Sequence, residues 1–213
     1  MLTRKLRRRG AIAAAGLLTL GTARPGTAQD EPPLMLTPSQ QEGPYYPVEI
    51  PSDHDADLTV VGDAETVAAG QPLLLHGVLL DSSGEPIEGA VVEIWQTDAV
   101  GIYLHPGDPD FEDRDTAFQG FGTSVTDADG IWAFRTILPE VYGSRPRHIH
   151  AKVKVGDETV LTTQIYFSGG DIPAEGALEA TGGELDALLV AVEAVVAEDG
   201  SEVLTAEHAV VVP

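Results

Sequence analysis

The segment Arg145-Pro146-Arg147-His148-Ile149-His150 sets two imidazoles two residues apart in a stretch that reads as a β-strand. Successive side chains on a strand point to opposite faces, so His148 and His150 project to the same side. Their Cα atoms are then about 7 Å apart, a span that one metal ion can bridge. Tyr142 precedes them closely, and Tyr103 lies a loop earlier. Imidazole suits Zn, Cu, Fe or Ni, whereas a phenolate is a hard anionic donor that favours an ion of high charge. Two histidines with two tyrosines therefore point to Fe(III). Each residue taken alone has a plainer reading: an H-x-H can sit hydrogen-bonded on a sheet surface, and either tyrosine can be a core or rim aromatic.

The elements that must hold these groups are short and mostly β. Apolar runs at residues 72–80, 90–96, 122–126, 131–136, 148–155, 159–167 and 203–212 read as strands. Ser83-Gly84, Asp129-Gly130 and Gly156-Asp157 supply turn signals between them. The alternation that begins at His148 changes register by Val153 and Val155, which predicts a bulge or twist in that strand. Residues 184–197 are too long and too rich in Ala, Leu and Glu for a strand and predict a helix, although their valines disfavour it. The Pro-rich stretch 30–51 predicts an extended arm lying over the domain. The expected fold class is all-β: a β-sandwich with a short C-terminal helical addition and an extended N-terminal arm.

Residues 1–28 are a different kind of sequence. Arg4, Lys5, Arg7, Arg8 and Arg9 precede an apolar run from Ala11 to Leu20, and Gly26-Thr27-Ala28 offers small residues for cleavage. That run is too short for a membrane span, so the segment reads as a secretory signal. Consecutive arginines ahead of a weakly hydrophobic stretch point to the twin-arginine route, with an ordinary Sec signal as the alternative. That route carries folded proteins, which suits an enzyme loaded with metal before export. The expected organisation is a signal at 1–28, a single catalytic domain at 29–213, and a periplasmic or extracellular destination.

The chain has 34 acidic against 12 basic residues, a net charge of −22, and no cysteine. A surface so negative repels nucleic acid and anionic membranes, and no disulfide can help to hold the fold. Beyond residue 28 the cations are Arg114, Arg135, Arg145, Arg147, Lys152 and Lys154. Arg145 and Arg147, beside the histidines, therefore form a local positive centre in an acidic chain.

Four ordered motifs connect these pieces: T-P-S-Q-Q-E-G-P-Y-Y (Thr37 to Tyr46), G-E-P-I-E-G-A-V-V-E-I-W-Q-T-D-A-V-G-I-Y (Gly84 to Tyr103), T-D-A-D-G-I-W-A-F-R-T-I-L-P (Thr126 to Pro139) and R-P-R-H-I-H (Arg145 to His150). Together they resemble the intradiol ring-cleavage dioxygenases, the family of protocatechuate 3,4-dioxygenase and catechol 1,2-dioxygenase. The resemblance implies one non-haem Fe(III) per chain, with Tyr103, Tyr142, His148 and His150 as its ligands. It implies Tyr142 as the ligand that leaves when substrate arrives and takes a catechol proton, and Tyr103 as the one that stays.

Arg145 matches the family's arginine beside the substrate ring, and its plainer role is to tie down a loop carboxylate. Gln164 matches a glutamine that approaches the same pocket, or is a strand glutamine bonded to backbone. Tyr45 and Tyr46 are candidates for a wall of the substrate cavity, or pack against the sandwich. His105 is a candidate for supporting the ligands from behind. His54, His76 and His208 read as structural, and Trp95 and Trp132 as core.

The expected partners are a small aromatic diol and dioxygen, with no nucleic acid and no membrane, and the sequence is compatible with a homo-oligomer. Only Gly143 and Ser144 separate Tyr142 from Arg145, a shorter loop than in protocatechuate enzymes. It should open the mouth of the site, and with so few cations to hold a carboxylate it favours neutral catechols. The competing reading is a non-catalytic sandwich binding module of an exported protein, since G-x-P-I-x-G-A-x-V also suits a turn between core strands. A copper site built on H-x-H is a third, which would want further histidines.

Overall fold

Alternating apolar residues after the N-terminal arm fold as strands stacked in two sheets. The structure, a computed structural model, describes residues 34–169, 185–197 and 200–213. The strands are β1 (Pro72–Asp81), β2 (Val91–Trp95), β3 (Phe121–Val125), β4 (Ile131–Ile137), β5 (His148–Val155), β6 (Glu158–Ser168), β7 (Leu189–Ala191), β8 (Glu193–Val196) and β9 (Glu202–Val212). One sheet runs β4-β1-β9-β8 and the other β3-β2-β5-β6-β7. The β1–β9 and β6–β7 pairs are parallel and the others antiparallel. This is the expected all-β sandwich.

The core lies between the sheets. Leu73, Leu75 and Leu79 of β1 and Trp132 and Phe134 of β4 meet Ile94, Ile149, Val153, Ile165 and Phe167 of the other sheet. Period-two alternation decides the opposite face. Across β2, β5 and β6 the pairs Trp95 with His150, His150 with Gln164, and His148 with Tyr166 fall on the side away from the core. The irregularity expected in the histidine strand occurs between Val153 and Lys154, beyond the histidines.

The arm runs extended across both sheets. The Thr37 amide donates to Val211 O, the Gln40 amide to Thr162 O, and the Thr163 hydroxyl to Pro38 O. It thus crosses onto the outer face of the five-stranded sheet, above the histidines.

The helix expected over 184–197 does not form. Residues Leu185–Leu188 make one helical turn, and the chain then enters β7 beside β6 and β8 beside β9. β-Branched side chains fit a pleated surface better than a helix, and Val190, Val195 and Val196 each take an edge position. Leu188 and Val190 are buried there, which offsets the lost helical bonding. Glu184, the segment 1–28 read above as a secretory signal, and the first residues of the arm lie outside the described residues.

His76 hydrogen-bonds the Thr205 hydroxyl at 3.4 Å, and exposed His54 meets Pro51 O at 2.8 Å. His208 is buried on the inner face with its Nε2 unpartnered, and burial lowers its pKa from 6.5 to about 4. Above pH 6.5 both folded and unfolded states carry the neutral ring. As pH falls below that value the unfolded chain protonates first, so stability falls until the folded ring protonates near pH 4. His208→Leu should therefore flatten the decline in unfolding free energy between pH 6.5 and 4 by up to about 3 kcal/mol, read by urea denaturation. Parallel pH profiles for parent and variant would contradict this.

Candidate metal centre

The outer face of β5 presents His148 and His150 as neighbours, and the loop after β2 brings Tyr103 over them. Two buried carboxylates shape that loop. Asp98 accepts the amides of Val100, Ile102 and Asp115 at 2.8 to 3.0 Å, and Asp108 accepts those of Tyr103 and Asp110 at 3.0 Å. Hydrogen bonds to a charged acceptor contribute about 1.5–3 kcal/mol each, enough to fix a loop whose side chain must arrive at one point.

Three donor atoms converge. Tyr103 Oη lies 3.2 Å from His148 Nε2 and 3.2 Å from His150 Nε2, and the two Nε2 atoms are 3.2 Å apart. Donors at about 2.0–2.1 Å from one first-row ion stand about 2.9 Å apart in an octahedron and about 3.3 Å apart in a tetrahedron. The observed triangle falls between these values. No third His, Cys, Asp or Glu joins the two histidines among the described residues, and the third atom of the triangle is the Tyr103 phenol.

The protonation states also fit a cation. His148 Nδ1 donates to Pro146 O at 2.7 Å, and a carbonyl can only accept, so its Nε2 carries a lone pair. Burial lowers the pKa of His148 to about 4. Burial, then the charges of His148 and Arg145, lower that of His150 to about 2. Both rings are neutral at physiological pH. Burial pushes the Tyr103 phenol up while the Arg145 guanidinium pulls it down, so without a cation the phenol and both rings are uncharged. A cation at the centre would satisfy all three and ionise the phenol.

Tyr142, the fourth expected ligand, stands beside this triangle. Its ring is 5.4 Å from that of Tyr103, edge on, and its hydroxyl is hydrogen-bonded to that of Tyr45. That bond first, and burial second, raise the Tyr142 pKa. A two-residue turn with Gly143 at φ 58° pairs Tyr142 with Arg145, and the Arg145 amide donates to Tyr142 O at 2.9 Å. Glycine at the first central position matches the twist of a hairpin, which puts both side chains at the rim.

The two arm tyrosines part company. Tyr45 stacks on Tyr103 at 4.8 Å and joins the aromatic cluster of the centre. Tyr46 turns away: its hydroxyl donates to Glu93 at 2.9 Å, and Lys152 Nζ sits 3.4 Å above its ring. It packs against the sandwich, the plainer of its two expected placements. His105 lies edge on to Tyr45 at 5.5 Å and accepts the Gly107 amide on Nδ1, outside the donor triangle.

Arg145 ties down no carboxylate among the described residues. Its Nη2 donates to Gln164 Oε1 at 2.7 Å and to Tyr166 Oη at 3.1 Å. Gln164 also has the backbone bond expected of a strand glutamine, from Nε2 to Gln41 O at 2.7 Å. Arg147 binds the Glu140 carboxylate at 2.8 Å and Pro139 O at 2.6 Å.

Two participants escaped the sequence reading. Trp132 is core as expected, but buried Trp95 lies on the outer face, stacked on His150 at 4.8 Å and 10°. Among the described residues His150 Nδ1 has no hydrogen-bond partner, so this stacking holds the ring where His148 uses a carbonyl. Buried Tyr166 is the other. Each takes its role from a neighbouring strand, Trp95 lying opposite His150 and Tyr166 opposite His148.

An all-β sandwich with a mixed histidine and tyrosine site on its outer face is a narrow class, and comparison with known proteins agrees. A family model described as Dioxygenase matches residues 41–211. The protocatechuate 3,4-dioxygenase beta chain of Burkholderia cepacia is 35% identical over 153 residues, covering 67% of this chain and 64% of that one. The catechol 1,2-dioxygenase of Acinetobacter baylyi is 34% identical over 155 residues, covering 62% and 47%. The chain thus spans about half to two-thirds of the length of these relatives.

Among solved structures, the dioxygenase domain of a dioxygenase and carbohydrate-binding protein fusion from Streptomyces sp. SirexAA-E superposes with a TM-score of 0.61 at 30% identity, covering 83% of this chain and 97% of that one. Catechol 1,2-dioxygenase from Acinetobacter sp. ADP1 superposes with a TM-score of 0.64 at 27% identity, covering 83% and 62%. The chain belongs to the intradiol ring-cleavage dioxygenase family.

The arm presses on the centre at Gly43, where φ is 75° and an added Cβ would lie 3.3 Å from His150 Cε1. Gly43→Ala should cost about 1–2 kcal/mol in backbone strain and displace His150, so that ferric ion uptake by the metal-free protein weakens about tenfold. Unchanged uptake, measured by elemental analysis after titration, would show that the arm does not bear on the histidines.

Proposed function

We propose that this protein is a non-haem ferric dioxygenase that cleaves the ring of a catechol-type diol between its two hydroxyl-bearing carbons. Both atoms of dioxygen enter the product, a muconate-type dicarboxylic acid, and no external reductant is required. The carrying observation is the convergence of Tyr103 Oη, His148 Nε2 and His150 Nε2 at 3.2 Å with Tyr142 alongside. A sandwich that served only as a binding module would have no reason to bring these donors together.

A ferric ion held by these groups supplies the means for a spin-paired diol to react with triplet dioxygen. The chain's own residues do the rest. Tyr103 is buried and walled by Tyr45, so it is the permanent phenolate. Tyr142 stands at the rim with its hydroxyl bonded to Tyr45, so as a phenolate ionised by a bound ion it would be the group placed to take the first catechol proton and return to the phenol. His148 holds its lone pair inward, and both neutral rings offer nitrogen donors to a cation. Arg145 adds positive charge, and its influence lowers the pKa of Tyr103 and of both histidines. The same charge favours an anionic diol beside them and negative charge developing on the ring.

The short turn at Gly143 leaves Arg145 exposed at the mouth, which supports a permissive pocket. Lys152 and Lys154 are already neutralised by Glu42 at 2.7 Å and Glu93 at 2.5 Å, so neither is free to hold a substrate carboxylate. Neutral catechols are therefore the proposed substrates.

Tyrosinate-to-ferric charge transfer should colour the iron-loaded protein red. Tyr142→Phe should shift that band, retain iron and lower kcat by about 10²-fold or more. His150→Ala should lose iron. A colourless iron-loaded parent, or full iron in His150→Ala, contradicts the ligand assignment. Substrate choice is read from kcat/KM, which should be higher for catechol than for protocatechuate, and the reverse order would refute the permissive pocket.

A further inference from the structure

We propose that Tyr166 is a positioning residue for Arg145, and that Gln164 acts with it rather than on the substrate; the catalytic part of this inference rests on the function proposed above. Tyr166 has no exposed surface and sits across the β5–β6 pair from His148, with ring centroids 5.9 Å apart. Its hydroxyl donates to Gln164 Oε1 at 2.8 Å, while Arg145 Nη2 donates to that hydroxyl oxygen at 3.1 Å and to Gln164 Oε1 at 2.7 Å. The three atoms close a triangle.

The direction of each bond is determined. An amide oxygen only accepts and a guanidinium only donates, so the single phenolic proton must face Gln164, leaving the phenol's lone pairs for Arg145. Gln164 cannot flip, because its Nε2 donates to Gln41 O of the arm at 2.7 Å. With two donors on Oε1 and one amide hydrogen spent on the arm, Gln164 has little left to offer a ligand.

Arg145 needs this support. It is exposed, lies on a two-residue hairpin, and has no carboxylate partner among the described residues. Among the described residues only Nη2 is engaged, so the triangle grips one edge of the guanidinium and leaves the other edge for a ligand. The buried phenol thereby decides where a mobile positive charge stands relative to Tyr103, His148 and His150. A long flexible side chain held in one place can act on charge that develops in one place.

Tyr166→Phe tests this, since it removes the hydroxyl and keeps the ring. In the iron-loaded protein, iron content, the visible band and anaerobic catechol affinity should stay within twofold of the parent while kcat falls about tenfold; kcat within twofold overturns the proposal. A second measurement needs no activity: phenylglyoxal modification of the metal-free protein, followed by peptide mass spectrometry. Arg145 should react severalfold faster in Tyr166→Phe, while Arg147, tied to Glu140, keeps its parental rate. An unchanged Arg145 rate, or equal acceleration of both arginines, overturns positioning in favour of a merely structural role. A parent that binds no iron or cleaves no diol sinks the proposed function, whereas the labelling rates still decide whether Tyr166 holds Arg145.

Discussion

Everything at the centre depends on the five-stranded sheet burying both of its faces with different chemistry. One face of β2, β5 and β6 meets the other sheet through Ile94, Ile149, Val153, Ile165 and Phe167. The opposite face carries Trp95, His148, His150, Gln164 and Tyr166. Because side chains alternate strictly, a slip of one residue in β5 would send both histidines into the core and Ile149 into the site. The apolar packing that stabilises the sandwich thus also sets the register of the convergent histidine donors.

A buried polar face is costly unless its groups find partners, and the arm supplies many of them. Glu42 meets Lys152, Gln41 O takes the Gln164 amide, and Tyr46 lies under the Lys152 ammonium. The arm also contributes Tyr45, which both stacks on Tyr103 and hydrogen-bonds Tyr142. This segment has no regular secondary structure, yet it is as much a part of the centre as the strands. Its extended form lets successive residues reach different partners on the sheet below.

The electrostatics follow the same division. In a chain with 34 acidic and 12 basic residues, Lys152, Lys154 and Arg147 are each bound to a carboxylate. Arg145 is bound to an amide and a phenol, which orient its charge without cancelling it. Its influence on the pKa values of Tyr103, His148 and His150 reflects that difference. The carboxylates of Asp98 and Asp108 are turned inward onto backbone amides, where they shape the Tyr103 loop.

Local pattern alone determined the strands, the shared face of His148 and His150, and the donor types that suit a ferric ion, because alternation, turn residues and ligand chemistry are properties of short stretches. It misjudged residues 184–197, where Ala, Leu and Glu outweighed the valines until the open edges of two sheets drew them into β7 and β8. It could not separate Tyr45 from Tyr46, which differ only in which way the arm turns over the sheet. Nor could it assign Trp95 or Tyr166, since each takes its role from a neighbouring strand. Tertiary structure decided which distant groups share one point: Tyr103 and His148 are separated by 45 positions along the chain, and only packing of the loop against the sheet brings their donor atoms to 3.2 Å.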